Sequence, residues 1–168
     1  MTVARQNRVS SRRGRLRRTA ALALGLAGFG LSAAIAATTE RVVTDRYSGL
    51  AIGGIDPVSY FADGGPRAGV ADLEVTAGGA VWRFRNEGNR AAFLAHPEVY
   101  QPRFGGYDPV GMADGKPVAG LPSLWLKVGE RLYLFARDDT RAAFAADPGR
   151  YLAAADRQWP GLRDSLVQ

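Results

Sequence analysis

The segment Asp56-Pro57-Val58 returns later in the chain as Asp108-Pro109-Val110, and Arg90-Ala91-Ala92-Phe93 returns as Arg141-Ala142-Ala143-Phe144. The offset is 52 residues for the first pair and 51 residues for the second, so one residue is lost between the two motifs. Motifs that recur in the same order at a nearly constant offset indicate an internal duplication. A site that one copy forms should therefore have a counterpart in the other copy.

Each copy carries the pattern of a β-hairpin followed by helices. Apolar and polar residues alternate on both sides of Gly78-Gly79 and of Gly129-Glu130, and two-residue loops of this kind favour tight hairpins. Apolar helical patterns follow at 89–95 and 140–146. A lone hairpin is barely stable in water. We therefore predict an α+β fold in which tandem β-hairpin-plus-helices repeats pack as one pseudo-symmetric domain.

The predicted repeats span 56–107 and 108–160, and short helices begin at Pro97 and Pro148, where the missing N–H of proline costs nothing. The second of these helices should end before Trp159. The residues just before the two prolines, His96 and Asp147, are predicted helix N-caps.

The first 36 residues predict an export signal. They contain seven arginines and no acid, an apolar run of about 13 residues and the small-residue site Ala34-Ile35-Ala36. The apolar run is shorter than the roughly 20 residues that span a bilayer. Arg12-Arg13 favours the twin-arginine (Tat) route over the Sec route, which stays open. We expect a mature domain over 37–168, without a membrane span, that is periplasmic in a Gram-negative source and secreted otherwise.

The charge of the mature chain argues against a nucleic-acid partner. Seven of the 22 lysines and arginines lie in the leader, which leaves 15 basic residues against 16 acids. Nucleic-acid binding requires a basic surface that this balance does not predict. The chain also has no cysteine, so neither a thiolate-bound metal nor an iron–sulfur cluster is expected.

The sequence resembles exported bacterial YHS-domain proteins in several ordered motifs. These are Leu50 to Phe61, Trp82-Arg83-Phe84, Phe93 to Tyr100, Phe104 to Tyr107 and Ala155 to Pro160. The resemblance covers about residues 47 to 162. It implies a module of a family associated with heavy-metal handling, often through a cysteine.

The chain departs from the family pattern at the place where a metal-binding cysteine is expected. Relatives typically carry cysteine after the Gly-Gly-Tyr motif, whereas Asp108 follows Tyr107 here. A carboxylate in place of a thiolate shifts preference from soft metals to harder cations. The remaining candidate metal ligands are Asp108, Met112 and His96, and we expect at most weak metal binding that depends on Asp108.

Two functions remain open from the sequence. In the first, the protein is a binding or accessory module that holds a small ligand between its repeats, and the candidate ligand-binding residues are Asp56, Tyr60, Tyr107 and Asp108. In the second, it is a ligand-free interaction or scaffold protein with a decayed metal site, and both Asp side chains bond local backbone. We do not expect an enzyme, because His96 is the single histidine and no nucleophile motif or phosphate-binding loop is present.

The export assignment can be tested in the leader itself. Replacement of Arg12-Arg13 by Lys-Lys should block export, because the twin-arginine route reads the paired guanidinium groups. Cell fractionation and N-terminal sequencing measure the outcome, and the mature protein should begin near Ala37. Normal export of the double-lysine variant would contradict the Tat route, and a retained leader would contradict cleavage.

Overall fold

The structure, a computed structural model, describes residues 40–166 and has an α+β fold, as the sequence predicts. Its helices and strands alternate in blocks along the chain. In order, they are α1 (Ser59–Ala62), β1 (Val70–Ala77), β2 (Ala80–Phe84), α2 (Glu87–Ala95), α3 (Pro97–Tyr100), α4 (Pro109–Ala113), β3 (Leu121–Val128), β4 (Arg131–Phe135), α5 (Asp138–Ala146) and α6 (Pro148–Ser165). The leader predicted over residues 1–36 lies outside the described residues.

Two antiparallel hairpins form the sheet part of the fold. Strand β1 pairs with β2, and β3 pairs with β4, each in a separate two-stranded sheet. The turn residues Gly129 and Glu130 both have positive φ, 56° and 57°, as Gly78 and Gly79 do at 63° and 81°. Positive φ at both central positions is the geometry whose twist matches antiparallel strands. The predicted two-residue turns are therefore confirmed.

Each hairpin carries a register shift at the same place. The partner of Phe84 is Val70 and the partner of Arg83 is Glu74, so extra residues stand on the first strand. The second hairpin repeats this irregularity between Leu121 and Trp125. Such bulges bend a strand and increase its twist.

The inner faces of the hairpins supply much of the core. Trp82, Phe84 and Phe135 are fully buried, and Tyr133 is 4% exposed. Side chains two positions apart lie on one face of a strand, so the alternation places these aromatic residues together.

One helix follows each hairpin and closes over it. Phe93 in α2 and Phe144 in α5 are both fully buried. The ring of Phe93 lies 5.2 Å from that of Trp82, and the ring of Phe144 lies 5.1 Å from that of Tyr133, centroid to centroid. Tilted ring pairs at such distances add to the energy of apolar burial.

The last helix corrects one prediction. Asp147 caps α6 by accepting a hydrogen bond from the Arg150 amide at 3.1 Å, as predicted. The prediction that the helix ends before Trp159 is wrong, because α6 continues through Pro160 to Ser165. Proline removes one helical hydrogen bond at an interior position. Trp159 packs against Phe104 and Tyr107, and this packing holds the last turns in place.

The two predicted repeats are called the first and the second segment. Short 3₁₀ turns show that the similarity of these segments begins before Asp56. Ile52 and Phe104 both have positive φ, 43° and 55°, although neither is glycine. Each is followed by two glycines, and the two turns span Ile52–Gly54 and Arg103–Gly106. The offset between Ile52 and Phe104 is again 52 residues. The pseudo-symmetric arrangement of the whole repeats stays a prediction.

The two segments share their cores instead of folding apart. Leu132 and Leu134 of β4 belong to the same buried cluster as Trp82 and Phe93. A second cluster combines Val43, from the chain before the first segment, with residues of the second segment. Each segment therefore relies on the other to cover apolar surface.

The equivalent helix residues give a direct test of this packing. Phe93→Ala and Phe144→Ala should each lower the free energy of unfolding by about 3–5 kcal/mol, because each deletes a fully buried ring and leaves a cavity. Urea unfolding monitored by circular dichroism measures both. Leu94→Ala is the matched control, since Leu94 is 57% exposed and its loss should cost no more than about 0.5 kcal/mol. Equal effects of Phe93→Ala and Leu94→Ala would contradict the packing.

Candidate functional site

The carboxylate of Asp56 is buried and makes three hydrogen bonds. One oxygen accepts from the Val58 amide at 2.8 Å. The other accepts from the Arg85 amide at 2.9 Å and from the side-chain amide of Asn89 at 2.7 Å. Asp56 therefore joins its own turn to the residue after β2 and to the first part of α2.

Asp108 makes the corresponding three bonds in the second segment. One oxygen accepts from the Val110 amide at 2.9 Å, and the other accepts from the Ala136 amide at 2.9 Å and the Thr140 hydroxyl at 2.5 Å. The offsets between partners are 51 or 52 residues throughout. The predicted bonding of each Asp to local backbone is confirmed.

Tyr60 and Tyr107, the other predicted ligand-binding residues, are also buried. The Tyr60 hydroxyl donates to the Pro122 carbonyl at 2.8 Å, and burial raises the pKa of this phenol well above its usual value. The Tyr107 hydroxyl donates to the Glu40 carbonyl at 2.5 Å. Both tyrosines connect parts of the chain more than 60 residues apart, and ligand contact by either stays a prediction.

The predicted metal ligands do not share one environment. Met112 is fully buried in the second core cluster, whereas the side chain of His96 is 64% exposed beside Glu98, 3.4 Å from its carboxylate. His96 stands at the N-cap position of α3, as predicted, but its side chain makes no capping hydrogen bond. Within residues 40–166, no group of three or more His, Cys, Asp or Glu side chains is placed to hold a metal ion.

A cleft of about 350 Å³ opens where the two segments meet. None of the four predicted ligand-binding residues is among those that line it. Its walls come from the start of the described chain, from both hairpins, from the loop around α3 and from α6. The lining residues are Arg41, Val42, Gly78, Trp82, Glu98, Gln101, Pro102, Arg103, Phe104, Gly105, Arg131, Trp159 and Arg163.

Four arginines and one acid give the cleft a basic lining. Arg103 pairs with Asp156, and Arg163 lies 3.2 Å from the neighbouring carboxylate of Asp164. In the part of the chain that is described, neither Arg41 nor Arg131 forms an ion pair with a carboxylate. Among the described residues, Glu98 is the one acid on the lining, and its carboxylate forms no ion pair with either of these guanidinium groups.

The backbone around Gly105 brings Arg41 to the cleft. The Val43 amide donates to the Gly105 carbonyl at 2.8 Å, which fixes the passing chain beside the 3₁₀ turn. Gly105 has a φ of 64°, and a Cβ atom there would lie 2.0 Å from the Arg41 carbonyl oxygen. Only glycine permits this close approach.

The repeat alignment contains a signal for this cleft that the sequence-based predictions missed. Arg103 takes the place of Ala51, and Arg131 takes the place of Ala80. A duplication predicts similar residues at equivalent positions. An arginine where the other copy has alanine therefore indicates a role that only one copy has. Trp159 belongs to the motifs of the resemblance but to none of the predicted sites, although it lines the cleft.

A smaller polar pocket of about 190 Å³ lies beside Asp108 and is lined in part by Asp114, Lys116 and Arg137. In the first segment, Arg85 forms an ion pair with Asp63 at 2.5 Å at the corresponding place. Alanine replaces that arginine at position 136. The pocket is therefore the space that an arginine side chain fills in the first segment and that Ala136 leaves open in the second.

No family model, curated protein or solved structure matches the chain. Over residues 40–166, no helix is both long enough and apolar enough to cross a membrane.

The structural role of Asp108 predicts a large effect of a small change. Asp108→Asn should lower the free energy of unfolding by about 2–3 kcal/mol, because an amide nitrogen cannot accept the bonds now made to one carboxylate oxygen. Chemical denaturation measures the loss, and Asp114→Asn, at an exposed position, should leave stability unchanged. An Asp108→Asn variant as stable as the unchanged protein would contradict this role.

Proposed function

We propose that this chain is a non-catalytic, exported YHS-like binding module that holds a small ligand in the cleft between its two segments. The observation that carries the proposal is the cleft itself, whose walls come from both segments and from the chain that precedes them. Clefts of about 300–1,000 Å³ are typical of small-molecule sites, and this one lies at the lower end of that range.

The chemistry of the lining supports binding more than catalysis. Glu98 and the four arginines are its titratable side chains, and the histidine beside Glu98 is on the surface. A general base needs to reach the proton that it abstracts, and a nucleophile needs an activating neighbour. Over the described part of the chain, the lining contains no hydroxyl, thiol or lysine that Glu98 could activate.

The proposed membership of the YHS family stands on the ordered motifs, and the structure supplies a reason for several of them. The motif Phe104-Gly105-Gly106-Tyr107 forms the 3₁₀ turn beside the cleft, and Trp159 of the last motif packs against it. Motifs that the resemblance rests on thus border the proposed binding site. We propose export to the periplasm of a Gram-negative cell, or secretion otherwise, on the leader pattern alone.

One observation favours the alternative, a ligand-free interaction or scaffold protein. Asp56 and Asp108 are both buried and occupied by bonds within the protein, which is what a decayed metal site predicts. The cleft weighs against this alternative, because Arg41 and Arg131 line it and form no ion pair within the described residues.

Native mass spectrometry separates the two functions, because it detects a bound molecule of any chemical class. Protein purified from its own exported compartment should carry a small adduct, and Gln101→Trp should remove it by filling the cleft. Arg157→Gln, on the exposed surface of α6 and away from the lining, is the control that should keep it. Protein without any adduct, or an adduct that survives Gln101→Trp, would contradict the proposal.

A further inference from the structure

We propose that the ligand of this cleft is a small organic anion with a planar apolar body. Its carboxylate or phosphate group binds between Arg41 and Arg131, and its planar part lies against Trp159. This inference rests on the proposed function, since it names the class of ligand for the same cleft.

Arg41 provides the first observation. Its Nε atom is buried and has no hydrogen-bond partner among residues 40–166. A buried donor without a partner is costly, and the cost is larger when the group is charged. An anion that accepts this N–H and an adjacent guanidinium N–H satisfies the group and neutralises it, in the two-point geometry that arginine forms with carboxylate and phosphate.

Arg131 provides a second guanidinium group on the same lining. It donates one N–H to the backbone carbonyl of Glu98, which anchors the side chain without neutralising its charge. An arginine has five N–H donors, so several remain for a ligand. The carboxylate of Glu98 lies beside His96 and makes no ion pair with Arg131.

Tyr133 and Arg103 lie close to this pair of arginines. Burial raises the pKa of the Tyr133 phenol, and the charges of Arg103 and Arg131 act in the opposite direction. Arg103 is already paired with Asp156, and its guanidinium lies over the ring of Phe104, 5.2 Å from the centroid. Arg41 and Arg131 are therefore the two arginines of the cleft that an anion would neutralise.

The rest of the lining suits a planar apolar group. Trp159 is half-buried and meets the ring of Phe104 edge to face at 6.0 Å, so its position is fixed. Trp82 is fully buried and forms part of the inner wall. A volume of about 350 Å³ is in the range of small-molecule sites.

Titration calorimetry with defined probes tests the inference on the purified protein. Benzoate and phenylphosphate represent the two acid groups, and benzamide is the neutral probe of the same shape. At least one of the two anions should bind ten times or more tightly than benzamide, and raised salt should weaken its binding. The tighter of the two anions identifies which acid group the cleft takes.

Variants assign the binding to the two arginines. Arg41→Gln and Arg131→Gln should each weaken binding of the anion by tenfold or more, and Arg41→Lys should recover part of the loss. Arg157→Gln is the control and should leave affinity unchanged. Thermal unfolding of each variant verifies that it is folded.

Three outcomes would overturn the inference. The first is benzamide binding as tightly as both anions, the second is no binding of either anion, and the third is an equal loss in Arg157→Gln. Retention of the native adduct by Arg41→Gln and Arg131→Gln would overturn the anion assignment while the proposed function stood. Absence of an adduct from the unchanged protein would instead count against the proposed function.

Discussion

The fold depends on two buried carboxylates, each of which accepts three hydrogen bonds from separate parts of its own segment. Asp56 and Asp108 connect the turn before a short helix, the residue after a hairpin and the first turns of the next helix. A buried charge is tolerated only when hydrogen bonds replace its water. The turn, the hairpin and the helix must therefore be in place together, which makes each segment one cooperative piece.

The bonds of Asp108 also bear on metal binding at the position where the resemblance implies a cysteine. Asp108 occupies the position where the resemblance implies a thiolate, and its oxygens already serve the Ala136 amide and the Thr140 hydroxyl. The corresponding Asp56 makes the same kinds of bonds in the first segment. A ligand-binding role for the protein is thus better supported at the cleft between the segments, which the arginines line.

The sequence predicts the local structure well because local rules determine it. Gly78-Gly79 and Gly129-Glu130 specify tight hairpins, and the period-two pattern identifies Trp82 and Phe135 as core residues. The end of α6 could not be predicted, since packing of Trp159 against Phe104 outweighs the local cost of Pro160. Tertiary contacts decide such cases, and the local pattern does not contain them.

The cleft was harder to predict for a similar reason, because Arg41 and Arg131 are far apart in sequence and come together through the glycine turn at Gly105. Two arginines of the cleft, Arg103 and Arg131, stand where the first copy has alanine, so comparison of the copies marks them.

Amide hydrogen exchange at Arg85 and Ala136 tests the central role of the carboxylates most directly. Both amides donate to a buried Asp oxygen, so the account predicts that they exchange as slowly as the central amides of β2 and β4. Exchange at either position within tenfold of the rate at the exposed bend at Gly64 would contradict it, because the carboxylate would then not hold the hairpin end in place.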